Sequence, residues 1–254
     1  MLIDSHCHLD AKWFKNDIPY VIQNAKKHDI EAIITSSISA SIQKVKNIVA
    51  RYPNYVFWAL GLHPPGVNTQ SVKTITKLIE KYKTEIVAIG EVGLDYHWVK
   101  EENQREQQKE ALKFFIDLAK KLEKPIIIHA RDAQTDTIEI LEENNAENVL
   151  MHCFSGNELE AKRVLKNKWL ISVPTSVANR KVHQMMARIV PLDQMLLETD
   201  APYLSPIRKK RNEPANIQIS AQKIAEIKST TLEEVAKKTT ANARNFYRLD
   251  ERMK

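Results

Sequence analysis

The sequence predicts an α/β protein built as a (β/α)8 TIM-type barrel, a single domain over residues 1–254. Three observations predict it. Short apolar, β-branched runs recur eight times, the segments between them carry helical spacing, and no linker-like stretch divides the chain. Near-continuous apolar runs fit strands covered on both faces, as in a parallel sheet. Strand alternating with helix implies βαβ units, and barrels of roughly 250 residues are common as one domain. The competing open, doubly wound sheet would carry a glycine-rich phosphate loop after its first strand. Here His6-Cys7-His8-Leu9-Asp10 stands in that place.

The eight predicted strands are Leu2–Asp4, Ala32–Thr35, Val56–Leu60, Ile86–Ile89, Ile126–His129, Val149–His152, Leu170–Val173 and Met195–Leu197. Between them, Asn103–Leu122 places Ala111, Phe115, Leu118 and Leu122 on one stripe with Lys and Glu elsewhere, the pattern of an amphipathic helix. Asn16–Asp29, Ser39–Ala50, Thr69–Tyr82, Thr135–Asn144 and Glu158–Leu165 read as further helices, several behind a capping residue. After the eighth strand, Ala215–Lys228, Leu232–Lys238 and Ala241–Arg248 read as closing helices.

Composition narrows the function classes. Hydrophobic residues make up 43% and charged residues 28%, which excludes a disordered chain. The net charge of +6 suits an anionic partner without demanding one. Cys7 and Cys153 are the only cysteines and form no CxxC pair, so a disulfide framework and a cysteine zinc cluster are excluded. No signal-peptide pattern opens the chain, and no apolar run approaches the roughly 18 residues of a membrane span. The expectation is a soluble cytoplasmic protein with no membrane partner.

The chemistry gathers where the strands end. The first leads into Asp4-Ser5-His6-Cys7-His8, the third into Gly61-Leu62-His63-Pro64, and the fourth into Gly90-Glu91. The fifth ends at His129, the sixth at His152, and the eighth runs into Glu198-Thr199-Asp200. In a parallel barrel these ends share one face, where barrel enzymes place their sites. In an extended segment residues i and i+2 point the same way, so His6 and His8 converge while Cys7 turns aside; Cys153, beside His152, is expected to turn away likewise. Imidazole and carboxylate both bind zinc, manganese, iron or cobalt. His6, His8, His129, His152, Glu91 and Asp200 are too many for one tetrahedral ion with an open position and suit two ions sharing a bridge. Such a pair can hold the attacking and leaving oxygens of a displacement at phosphorus. Taken singly, each histidine reads equally as a buried, hydrogen-bonded residue, and Glu91 as a buried acid paired with a lysine. The joint pattern favours the metal site.

Around this cluster other residues carry two readings. His63 is either an active-site donor or a loop residue capped by Pro64-Pro65. His97 lies in a loop near Glu91, and His28 and His183 lie in helical stretches as surface residues. Arg131 is either a bidentate clamp for phosphate or the salt-bridge partner of Asp132 or another loop acid. The run Arg208-Lys209-Lys210-Arg211 is a solvated loop or, next to a metal cluster, an attractor for a polyanionic strand. Trp13, Phe14, Trp98 and Tyr203 are candidates for stacking on bases, with packing as the plainer reading.

DSHCHLD at 4–10, GLHP at 61–64, GEVGLDY at 90–96, PIIIHARDA at 125–133, MHCFSG at 151–156, ETDAPYLSP at 198–206 and RNEPANI at 211–217 resemble the TatD-like metal-dependent deoxyribonucleases of the amidohydrolase superfamily. The motifs occur in order across nearly the whole chain. The resemblance implies a barrel hydrolysing phosphodiester bonds in DNA as a 3′→5′ exonuclease; single-stranded ends as substrate and a monomeric state are further expectations. It implies two divalent ions per chain (Mg2+, Mn2+ or Zn2+): His6, His8 and Asp200 on one, His129 and His152 on the other, Glu91 bridging. His63 would assist in binding the scissile phosphate, with Arg131 and Tyr203 as further substrate contacts. Asp200 would orient a metal-bridging hydroxide and accept its proton, and Asn212-Glu213 would support a loop. Around the seventh strand, Asn167-Lys168-Trp169 and Val173-Pro174-Thr175 stand where the family commonly has glycines, so a differently shaped substrate-facing loop is expected. Two rivals remain at this point. One is a superfamily member acting on a small amide, lactone or ester; the other is a silent nucleic-acid-binding barrel.

Overall fold

In a computed structural model that describes residues 1–253, eight strands form one sheet in sequence order, each pair of sequence neighbours parallel. They are β1 (Leu2–Cys7), β2 (Ile30–Ser37), β3 (Val56–Leu60), β4 (Ala88–Asp95), β5 (Ile126–Arg131), β6 (Val149–Met151), β7 (Leu170–Pro174) and β8 (Met195–Glu198). The helices are α1 (Ile18–Lys27), α2 (Ile42–Arg51), α3 (Thr69–Tyr82), α4 (Glu102–Lys121), α5 (Gln134–Glu143), α6 (Glu158–Lys166), α7 (Lys181–Ile189), α8 (Ile217–Lys228) and α9 (Leu232–Tyr247). This is the (β/α)8 barrel that the alternation of apolar runs and amphipathic segments predicts. Among the described residues, no helix is long and apolar enough to cross a membrane.

The pleat sorts side chains onto two faces. Ile3, Ile34, Phe57, Ile127, Leu150 and Leu196 form a core of their own with Ala243, Tyr247 and Leu249. Alternate positions such as Ile33, Trp58, Ile128, Met151 and Val173 pack in the larger cluster with the helices. α9 closes the end where the strands begin: the Tyr247 hydroxyl donates to the Ser5 carbonyl at 2.8 Å, and Asn242 Nδ2 donates to the Met195 carbonyl at 2.9 Å.

At the other end, contacts beyond the regular ladder complete the seam between β1 and β8. The Asp200 amide donates to the His6 carbonyl at 3.0 Å, and the His8 amide donates to the Ala201 carbonyl at 2.7 Å. Below them the Thr199 amide and hydroxyl donate to the two oxygens of Asp4, at 2.9 and 2.6 Å. Three site residues, His6, His8 and Asp200, contribute backbone groups to the hydrogen bonds that close the seam.

Several sequence expectations are corrected. β1 and β4 run three and six residues past their predicted ends, so His6 and Glu91 lie within strands. The last two of the three predicted closing helices are one, α9. Thr239 donates to the Val235 carbonyl and Thr240 to that of Met1, so these β-branched residues are satisfied without breaking it. α7 forms where no helix boundaries were assigned, and His183 on it is buried, 2% exposed, rather than at the surface. Cys7 is buried, but Cys153 is not turned away. It follows the end of β6 with φ +46° and lines the cavity described below.

Candidate metal centre

The six candidate ligands converge at the C-terminal mouth of the barrel. Glu91 is at the middle: its Oε1 lies 3.8 Å from His8 Nε2, and its Oε2 lies 3.9, 3.5 and 3.0 Å from His6 Nε2, His129 Nδ1 and His152 Nε2. Asp200 Oδ1 lies 3.2 Å from His8 Nε2 and 3.9 Å from His6 Nε2, and those two imidazole nitrogens are 3.3 Å apart. The His-x-His spacing accounts for that last approach, since both rings leave the extended chain on one side.

Three groups of donor atoms lie close enough together to hold an ion: His6, His8 and Asp200; His6, Glu91 and His152; and His63, Asp95 and His129. His129 thus groups with His63 and Asp95, although its Nδ1 is also 3.4 Å from His152 Nε2. So many imidazole nitrogens and carboxylate oxygens turned toward one another present lone pairs that hydrogen bonds within the cluster cannot all satisfy. The residues therefore fit divalent cations.

Electrostatics separates the ligands. Burial, followed by the neighbouring His152, holds His6 well below the usual histidine range, leaving it neutral and ready to coordinate. Burial also opposes a charge on His8, but the carboxylates of Asp200 and Glu91 outweigh it and lift His8 to about 9. For Glu91, burial favours the acid form, yet His63, His129 and His152 together hold its carboxyl well below the ordinary range.

Behind the ligands stand acids that sequence reasoning missed. Asp95 Oδ2 lies 3.0 Å from His129 Nε2, while its Oδ1 accepts from the Trp98 amide at 2.8 Å. Glu198 is fully buried, accepts from the Ser172 hydroxyl at 2.6 Å, and lies 3.6 Å from His152 Nδ1. The Asp95 carboxylate at the far nitrogen of His129 fixes that ring's orientation and makes its other nitrogen a better donor, and the Glu198 charge favours His152 across the longer gap. Gly93 lets β4 approach β5 beside His129: at φ +146°, a Cβ there would clash with the His129 carbonyl oxygen.

A cavity of about 720 Å³ opens above the centre. His63, Arg131 and Tyr203 all line it, as do Trp98, Arg180 and His183. The His63 and His129 ring centroids are 4.8 Å apart, and Tyr203 packs edge-on to His8 at 5.9 Å. Arg131 lies over the Trp98 ring, while Asp132 faces His97 Nδ1 at 3.3 Å. The salt-bridge reading of Arg131 with Asp132 is therefore corrected.

Among the stacking candidates, Trp13, Trp98 and Tyr203 are exposed, whereas Phe14 is fully buried under Arg211 and offers no face to a base. Arg211 pairs with Asp17 at 2.7 Å and Glu213 at 2.8 Å, which separates it from the exposed Arg208, Lys209 and Lys210. Asn212 is buried and donates to the Thr199 carbonyl at 2.7 Å and to Thr175 Oγ1 at 2.8 Å, tying the loop after β8 to the end of β7.

Comparison with known proteins agrees with this architecture. The family described as TatD related DNase matches residues 3–248. A human protein named deoxyribonuclease TATDN3 is 36% identical over 258 residues, covering 97% of this chain and 94% of its own. The Bacillus subtilis protein YabD, named an uncharacterized metal-dependent hydrolase, is 37% identical over 258 residues, covering 98% and 100%. Among solved structures, the Escherichia coli TatD homologue YJJV superposes with a TM-score of 0.87 at 25% identity, over 97% of this chain and 98% of its own. The chain belongs to the TatD-related DNase family and is a metal-dependent hydrolase.

Proposed function

We propose that the protein hydrolyses phosphodiester bonds in DNA, as a 3′→5′ exonuclease on single-stranded ends. The observation that carries the reading is the Glu91 carboxylate, with one oxygen facing His8 and the other facing His6, His129 and His152. Such a placement suits a bridge between two divalent ions, Mg2+, Mn2+ or Zn2+. His6, His8 and Asp200 would hold one, and His129 and His152 the other. When bound, the ions supply an acidified water and positive charge for the phosphate oxygens.

The chain's own residues do the rest. Asp200 accepts the proton of the attacking water as it adds to phosphorus; the bond to the departing oxygen breaks, its electron pair leaves with that oxygen, and Asp200 returns the proton to it. His63 donates to a non-bridging oxygen. Burial holds this imidazole below the usual range, so near neutral pH it donates as the neutral ring. Arg131 offers its fork to phosphate, and Tyr203 offers an exposed ring at the rim. The deoxyribonuclease name of the human relative supports DNA as substrate. The free thiols of Cys7 and Cys153 suit the reducing cytoplasm.

The test is end-labelled single-stranded DNA incubated with Mg2+, Mn2+ or Zn2+ and with a chelator, beside a panel of lactones, amides and carboxylic esters. Metal-dependent shortening from the 3′ end is expected. Intact DNA with turnover of a lactone, amide or carboxylic ester would replace this reading with the small-substrate hydrolase.

A further inference from the structure

The wall of the cavity formed after β7 has no role in the chemistry above, yet it is built from donors. α7 begins at Lys181 with Arg180 as its N-cap, and no side chain caps its first turn. An uncapped helix start presents free amide N–H groups and the positive end of the helix dipole. Arg180, Val182 and His183 at that start all border the cavity.

His183 is the second, independent observation. It is 2% exposed, and its Nε2 has no hydrogen-bond partner among the described residues. Its Nδ1 lies 2.7 Å from the Ser176 hydroxyl. In the tautomer whose Nδ1 accepts the Ser176 proton, the ring proton sits on Nε2 and faces no acceptor among the described residues. Burial, and then the charge of Arg180, bring the imidazole down to about 4, so it stays a neutral donor at physiological pH. A buried donor left without an acceptor is costly, and a ligand bringing an acceptor would remove that cost.

We infer that Arg180, the first turn of α7 and His183 Nε2 form a phosphate subsite that holds a phosphate of the substrate other than the one being cleaved. Every group there donates and one is cationic, which selects an anionic acceptor. The inference rests on the nucleic-acid reading above and names the residues that would grip the strand beside the reacting bond. The phosphate has two sources: the next phosphodiester of the strand, or a phosphate on its end.

The experiment measures binding of a fluorescein-labelled short oligothymidylate by anisotropy, with and without a 3′-terminal phosphate. Hydrolysis of the oligothymidylate and of bis(p-nitrophenyl) phosphate, a diester with one phosphorus, is followed in parallel. The proteins are wild type, Arg180→Gln, His183→Leu and His183→Gln, with folding checked by thermal melting. Loss of a hydrogen bond to a charged group is expected to weaken oligonucleotide binding about tenfold in Arg180→Gln and His183→Leu. His183→Gln, which keeps an N–H donor, should recover part of the loss. Activity on the oligonucleotide should fall several-fold more than activity on the single-phosphorus ester.

If a terminal phosphate strengthens binding to wild type and the gain disappears in the variants, the subsite takes a strand end. If both oligonucleotides weaken equally, it takes an interior phosphate. Variants that bind like wild type, or that lose both substrates in equal measure, overturn the subsite. Wild-type protein that binds the strand through these residues without cleaving it sinks the nuclease reading and leaves the subsite. Wild-type protein that binds no oligonucleotide overturns both.

Discussion

Asp95 Oδ2 lies 3.0 Å from His129 Nε2, while the other ring nitrogen of His129 faces Glu91 Oε2 at 3.5 Å. One carboxylate thus orients the ring that presents its free nitrogen to another. Asp95→Asn preserves shape and removes the charge. It is expected to lower metal affinity and kcat/KM about tenfold to a hundredfold. Metal titration by calorimetry beside an activity assay checks this, and wild-type affinity would refute the role.

Glu198 also approaches the far nitrogen of a candidate ligand, His152, but at 3.6 Å from Nδ1 it is beyond hydrogen-bond reach and acts through its charge, while its other oxygen accepts from the Ser172 hydroxyl at 2.6 Å. Glu198→Ala leaves the Ser172 hydroxyl without its acceptor and opens a cavity. A loss of about 2 kcal/mol or more is expected, measured by urea unfolding. Glu198→Gln keeps the volume and an acceptor for Ser172, so it should cost less stability while still reducing metal affinity.

Much of this arrangement is legible in the sequence, and the parts that are not have particular causes. The His6-Cys7-His8 spacing and the histidines at strand ends announce themselves because a parallel barrel collects such ends on one face. Asp95 was within reach of the same logic, since Glu91, Gly93 and Asp95 fall on one side of a strand. A strand ending at Ile89 leaves it out. His183 sits at i, with Met186, Ala187 and Val190 at i+3, i+4 and i+7, a stripe that buries it on the inner side of α7. A polar residue on an apolar stripe is the signal that was available. The burial of Phe14 has no comparable signal, because it joins the core cluster from a short irregular segment, with Arg211 stacked on it from almost the other end of the chain.

At the seam, Thr199→Val removes the hydroxyl that donates to Asp4 at 2.6 Å and that accepts from the Ala201 amide at 3.2 Å. Two buried polar groups lose a partner. Destabilisation of about 2 kcal/mol or more is expected in urea unfolding, with activity falling because Asp200 follows directly. Unchanged stability would show that the β1–β8 closure does not depend on this clamp.

His183 also predicts a pH response. Its folded-state value of about 4 lies below its ordinary value of 6.5, so the unfolded chain takes up a proton that the folded chain refuses. The associated stability is present above about pH 6.5 and is lost as pH falls from there through 4, by at most about 1.4 kcal/mol per pH unit. Unfolding free energies measured across that window should fall less steeply for His183→Leu than for wild type. Parallel curves would place the acid sensitivity elsewhere.

The most direct test of the central claim is anomalous scattering from crystals grown with Mn2+. Two peaks are expected at the barrel mouth, one bonded to His6, His8 and Asp200 and the other to His129 and His152, with Glu91 touching both at about 2.0–2.2 Å. A mouth with no peak, or one peak confined to His63, Asp95 and His129, would contradict it.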